Sequence, residues 1–235
     1  MKKQSFFQLF SKVFLTYFFL NLSFEDIERE NKQPQKHDVF LKTFDGKTVE
    51  TERLYLSPTT KEDLDFLAPH ILDEAAMRGY DSYSIWPKTI EEAKEYLADN
   101  LEGDKVYFTI KLKETSAPIG QIGFSFSTKD VLWVCYWLST TYHKKGYMTE
   151  SVLPLTKIIF ENCSDLDILH LRILKTNTPS IKLATKICNF INKNEQYRYK
   201  KYEGEIKVPS QDKKFFTKYP VRHFKLFKKK LWQRK

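Results

Sequence analysis

Cysteine is scarce in this 235-residue chain, and Cys135, Cys163 and Cys188 stand far apart. They form no CxxC pair and no cluster with histidine, so the spacing supports neither a disulfide framework nor a zinc site. Reduced, buried thiols in an intracellular, cytoplasmic protein are the expectation. The five histidines are scattered too, and no metal is expected. Internal repeats, low-complexity blocks, a P-loop and a dinucleotide fingerprint are all missing. No apolar run is long enough to span a bilayer. After MKK, the stretch FFQLFSKVFLTYFFLNL is interrupted at Gln8 and Lys12, and its unbroken part, 13–20, is too short. No small-x-small cleavage site follows it. Three readings stay open for residues 1–22: an aromatic helix packed on the body, attachment to a membrane or protein partner, and secretion.

What the chain does have is aromatic mass and positive charge. Nineteen Phe, 13 Tyr and 4 Trp supply a core although hydrophobic residues make up only 41%. Thirty-nine Lys and Arg against 30 Asp and Glu leave a net charge of +9. That excess favours an anionic partner or cofactor and disfavours a strongly cationic acceptor. Residues 213–235 hold ten Lys and Arg and no acid. The tail reads as a solvated end or a phosphate-contacting surface, and it lacks a binding motif. Nucleic acid is therefore not the expected partner.

Along the chain, the polar stretch 25–38 is a linker broken at Pro34. Residues 39–44, the pair Asp45-Gly46 and residues 49–56 read as strand, turn and strand. Pro58 closes the second strand, and Thr59 or Thr60 caps a helix near Lys61. Residues 79–87, with Tyr80, Tyr83 and Trp86, read as an aromatic loop, and Thr89 caps a helix over 90–100. Strands follow over 106–111 and 119–127, where Gly120 and Gly123 suggest close backbone approach. Residues 130–138 are almost wholly apolar and predict a central strand covered on both faces. A helix over 147–160, a strand over 166–174, a helix over 180–187 and strands over 197–202 and 222–227 complete the order. The fold class is mixed α/β, a central twisted sheet with helices on both faces.

One junction carries chemistry. In LSTTYHKKGYMTE, residues 138–150, a buried strand feeds a basic, glycine-containing turn that opens a helix. The first turn of a helix offers unpaired N–H groups suited to a pyrophosphate. Lys144 and Lys145 add positive charge, and Gly146 allows close approach. Taken alone, these residues read as a solvated loop.

Together with its surroundings the junction resembles the cofactor turn of the GCN5-related N-acetyltransferases, especially the ribosomal-protein N-terminal acetyltransferase branch. Thr51-Glu52-Arg53-Leu54 with Tyr55-Leu56 looks like that branch's opening strand. Tyr136-Trp137-Leu138 with Gly146-Tyr147-Met148-Thr149-Glu150 looks like its central strand and turn. Asn177, Ser180 and the run 181–187 look like its late helix. The resemblance implies an acyl-CoA N-acyltransferase-like fold over 51–206, an aromatic extension and linker over 1–50, and a basic segment over 207–235 supplying the last strand.

It also implies acetyl-CoA as acyl donor, with the amides of Lys144, Lys145, Gly146, Tyr147, Met148 and Thr149 on its pyrophosphate. Val134, Tyr136 and Leu138 would lie beside the pantetheine arm, and Asn177 would hydrogen-bond it. Ser180 would place or protonate the departing thiol, with Glu195 as the base. Tyr80, Tyr83 and Trp86 would line the pocket of an amine-bearing protein, peptide or small molecule. The chain departs from the family at Trp133, where relatives often carry a glutamate, and at Ala184, where some carry a tyrosine. Two functions are therefore open: acetyl transfer to a primary amine such as a protein N-terminus, and a catalytically degenerate CoA-binding or interaction module.

Overall fold

Residues of alternating polarity build one sheet, and the lapses in its pairing locate the site. The computed structural model describes residues 44, 46–77, 87–101, 105–128, 131–163, 166, 168–192, 197–209 and 216–228. Its strands are β1 (Val49–Glu50), β2 (Leu54–Pro58), β3 (Lys105–Leu112), β4 (Pro118–Thr128), β5 (Val131–Leu138), β6 (Ile168–Leu174), β7 (Tyr197–Pro209) and β8 (Phe216–Lys228). Across the sheet they lie in the order β1-β2-β3-β4-β5-β6-β8-β7. Only β5 and β6 run parallel. A parallel pair needs a crossover, and helix α4 (Tyr147–Asn162) supplies it. The other helices are α1 (Leu64–Ile71), α2 (Glu74–Met77), α3 (Ile90–Asp99) and α5 (Thr178–Asn192). Among the described residues no helix is long and apolar enough to cross a membrane.

Two hydrophobic layers sandwich the sheet. On one face Leu132, Val134 and Leu138 of β5 join Leu169, Leu171 and Ile173 of β6. They pack under Val152, Leu155 and Ile159 of α4 and Leu183, Ala184 and Ile187 of α5. On the other face Trp137 packs with Leu64, Leu67 and Ile71 of α1, Met77 of α2, and Ala93 and Leu97 of α3. The central strand is thus covered on both sides, as its apolar run predicts. Buried Asp63 fastens α1 to the sheet. It pairs with Lys111 at 2.6 Å and accepts from the Thr109 hydroxyl at 2.8 Å.

Two expectations change. The strand read over 49–56 is a hairpin of β1 and β2, with Val49 opposite Leu56 and Glu50 opposite Tyr55. Thr51 turns the chain, its N–H donating to the Leu54 carbonyl at 3.0 Å. The last helix runs five residues beyond the expected 187, to Asn192. β8, the last strand in the chain, enters between β6 and β7. At Gly120 a Cβ would collide with the Trp137 carbonyl oxygen, and at Gly123 with the Tyr107 ring. The close approach expected of both glycines is therefore observed.

The β5–β6 ladder is short. Val131 pairs with Ile168, Leu132 with Leu169 and Trp133 with His170, and there it ends. Beyond it, residues 134–138 are paired with β4 alone, and the two strands part.

Candidate active site

The parting strands leave an opening, and the chain leaves β5 at its mouth. Ser139 starts a tight turn in which the Tyr142 N–H donates to the Ser139 carbonyl at 2.9 Å. The His143 ring bonds the Leu138 carbonyl through Nε2 at 2.7 Å, so His143 closes the turn. Lys144 follows with φ 61° and Gly146 with φ 85°. Left-handed residues of this kind favour turns whose successive N–H groups can converge on an anion. Among the described residues, the N–H groups of 144–149 find no backbone acceptor, whereas that of Glu150 bonds the Gly146 carbonyl at 3.0 Å. A basic, donor-rich turn results at a helix N-terminus, suited to a phosphate-bearing ligand.

The turn is braced by a contact that sequence reading missed. Glu150 accepts from the Thr51 hydroxyl at 2.6 Å, from the Arg53 N–H at 2.8 Å and from Arg53 Nε at 2.8 Å. Arg53 Nη2 stands 2.6 Å from its second oxygen. Arg53 Nη1 also donates to the Lys145 carbonyl at 3.1 Å, and its guanidinium lies 4.5 Å over the Tyr147 ring. Burial alone would raise the Glu150 carboxyl. The donors from Thr51 and Arg53 outweigh it and hold the group below its ordinary range. Glu150 is thus a permanent anion that ties the β1–β2 turn to the first turn of α4.

Tyr147 and Met148 turn their side chains toward the core. Above Gly146 an added Cβ would meet nothing nearer than Arg53 Nη2 at 3.5 Å. Lys144 and Lys145 are exposed, and the Lys145 ammonium sits 5.4 Å over the Tyr142 ring.

Inside the opening, Val134, Tyr136 and Leu138 all face α4 and α5. The Tyr136 hydroxyl meets Ser180 Oγ at 2.7 Å, bridging β5 to the first turn of α5. Burial pushes the Tyr136 phenol above its ordinary value, against the opposing effect of the Ser180 hydrogen bond, so it remains protonated. Asn177 Oδ1 accepts from the Ser180 N–H at 3.2 Å. Asn177 is a helix cap placed at the opening. On the far face, burial raises the Cys135 thiol, which disfavours a nucleophilic thiolate. Asp73 accepts from Thr140 and from the Ala75 and Ala76 N–H groups, and these bonds hold it ionised. Glu195, Tyr80, Tyr83 and Trp86 lie outside the described residues. No grouping of His, Cys, Asp and Glu among the described residues is arranged to hold a metal.

Residues 53–187 match the acetyltransferase (GNAT) domain family, and the chain belongs to it. A curated relative, an uncharacterized N-acetyltransferase p20 from Bacillus licheniformis, is 28% identical over 166 residues, 68% of this chain and 90% of its own. Among solved structures, a GNAT-family acetyltransferase from Bacillus anthracis superposes with a TM-score of 0.59 at 16% identity, covering 78% of this chain and 99% of that one. A ribosomal L7/L12 α-N-protein acetyltransferase in complex with coenzyme A gives 0.58 at 13% identity, covering 76% and 97%. The two structures show that the fold is shared.

Proposed function

We propose that the protein transfers an acetyl group from acetyl-CoA to a primary amine, with a protein N-terminal amine as the acceptor. The observation that carries this reading is the run of amides over 144–149 at the mouth of the β5–β6 opening. These donors would hold the pyrophosphate, with Lys144 and Lys145 adding charge. The unpaired edge over 134–138 would receive the pantetheine arm. Acetyl-CoA supplies the thioester carbonyl that a neutral amine attacks directly, and the thiol departs. Alignment within the opening accounts for much of the rate such a site can provide. Ser180, at hydrogen-bonding distance from a phenol that stays protonated, is positioned to hand a proton to the departing thiol. The general base proposed is Glu195, and the proposed acceptor wall is Tyr80, Tyr83 and Trp86. The coenzyme A complex of the α-N-protein acetyltransferase supports both the donor and the acceptor class.

Calorimetric titration tests the reading. Acetyl-CoA is expected to bind in the micromolar range and more tightly than adenosine diphosphate, and amine acceptors to release free coenzyme A thiol. Absence of binding in a folded sample would overturn the donor assignment. Tight binding without turnover on any amine would favour a CoA-binding interaction module.

A further inference from the structure

Strands β5, β6, β8 and β7 carry a continuous row of rings on the face turned away from α4 and α5. Register puts them there. Trp133 pairs with His170, Arg172 with His223, His170 with Lys225, and His223 with Tyr202. The alternating positions Leu169, Leu171, Phe224 and Leu226 enter the opposite core. Ring centroids lie 4.0 Å apart for Trp133 and His170, 5.1 Å for His170 and His223, and 4.5 Å for His223 and Tyr202. A hydrogen bond of 2.9 Å joins His170 Nε2 to His223 Nδ1. Gly204 keeps this row flat, since a Cβ there would stand 2.9 Å from His223 Nε2.

Fixed cations edge the row. The Arg172 guanidinium lies 5.2 Å over Trp133 and the Lys225 ammonium 5.5 Å over Tyr202. Lys200 is opposite Lys225 in register and exposed. On this face the described positions of β6, β7 and β8 carry no carboxylate. Glu203 alternates to the other side, where it holds Lys175 and Arg222. The histidines register the resulting field. Both are driven below their ordinary value, first by burial and then by positive neighbours that include Arg172 and Lys225.

The strip begins at the opening. Arg172 sits two residues beyond the last β5–β6 pair, on the side opposite Tyr136 and Ser180. If the donor thioester enters from the α4–α5 side, an amine approaches from this one. Four adjacent strands at roughly 4.8 Å spacing give a strip of about 14 Å, the reach of about four extended residues. A compact amine needs far less.

We propose that this strip docks the acceptor, and that the acceptor is an acidic peptide. Its N-terminal amine enters the opening while carboxylates on the following residues lie against Lys225 and Lys200. Charge complementarity of this kind selects partners more than it adds raw affinity. The inference rests on the amine-acetylation reading above and names its substrate class.

The test uses the full chain and three fluorescent peptides that share a first residue and continue with Glu, Gln or Lys. Anisotropy reads binding, and thiol release reads acetylation. The Glu peptide is expected to bind and react about tenfold better than the Gln peptide, with the Lys peptide weakest and the preference shrinking in salt. The K200Q/K225Q double variant, confirmed folded by circular dichroism, is expected to lose that preference. Equal binding of all three peptides, or a preference untouched in the folded variant, would overturn the proposal. So would polyuridylate binding as tightly as the Glu peptide, which would mark a generic polyanion surface. If acetyl-CoA binds and the peptides are not discriminated, this inference fails alone. If acetyl-CoA does not bind, the functional reading fails, and anisotropy with the Glu peptide still decides the strip.

Discussion

The two ends of strand β5 are built from the same kinds of residue and do opposite things. At the start, Leu132 is fully buried and pairs with Phe126 on one side and Leu169 on the other. Its backbone and side chain are both satisfied. At the end, Val134 and Leu138 remain buried, yet the ladder persists only toward β4. Side-chain packing continues where backbone pairing stops. An unpaired polar edge inside a packed sheet is costly unless water or a ligand meets it. The site is therefore made by interrupting hydrogen bonding, with the hydrophobic layer left intact, and stability and ligand binding become separable along one strand.

The largest effect should come from the closed end. Leu132→Ala is expected to cost about 2–5 kcal/mol in denaturant unfolding, while the folded fraction keeps its acetyl-CoA affinity. Equal losses in both measurements would show that the two ends are coupled. At the open end, Glu150→Gln removes the anion that gathers Thr51 and Arg53. The stability loss is expected to be small, because Arg53 is exposed and solvent screens the pair. Acetyl-CoA affinity should fall as well, because Arg53 also holds the Lys145 carbonyl. Intact affinity in this variant would mean that the turn holds its shape without the brace.

How much of this was legible depends on how local the signal is. The apolar run of β5 and the basic turn before α4 are written in consecutive residues, and both are where the sequence puts them. The β1–β2 turn is not, since Thr51, Glu52 and Arg53 pass for a polar interval in one strand. Their three consecutive polar residues were the available hint. The Arg53–Glu150 brace joins residues 97 apart and the Tyr136–Ser180 bridge residues 44 apart, so no spacing rule reveals either. The ring row needs β8 to enter between β6 and β7, and chain order suggests the reverse. Ser180 and Asn177 were placed by family resemblance, and the fold brings both to the opening.

That row offers a sharper contrast with the rest of the sheet, because it titrates. Burial and the nearby cations lower His223 to about 4 and His170 to about 2. In the unfolded chain both protonate near 6.5. Between that value and the folded one the unfolded state binds more protons, so stability falls as pH falls. It is fully present above about 6.5; below it the buried His170 removes up to about 1.4 kcal/mol per pH unit, and the half-exposed His223 removes less because solvent screens it. Urea midpoints at pH 7.5 and 5.0 should differ accordingly, and His223→Gln should flatten the dependence. A flat profile in the unmodified protein would show that the folded row accepts protons freely.

Tyr136→Phe makes the smallest change and probes the open end most directly. It deletes one hydroxyl, leaves the ring against α5, and should cost about 1 kcal/mol of stability. Acetyl-CoA affinity should stay within about twofold, because the proposed pyrophosphate donors belong to another segment. Turnover is expected to fall about tenfold. Either oxygen can donate in the Tyr136–Ser180 bond. A phenol is the stronger donor, and the expected loss holds if Tyr136 donates to Ser180 Oγ and leaves the serine proton to point into the opening. Without the phenol, Ser180 rotates among orientations that do not present that proton. Ser180→Ala should therefore lower turnover at least as far, and the double variant no further, since residues acting as one unit are not additive. Additive losses would show that Tyr136 serves only to pack β5 against α5.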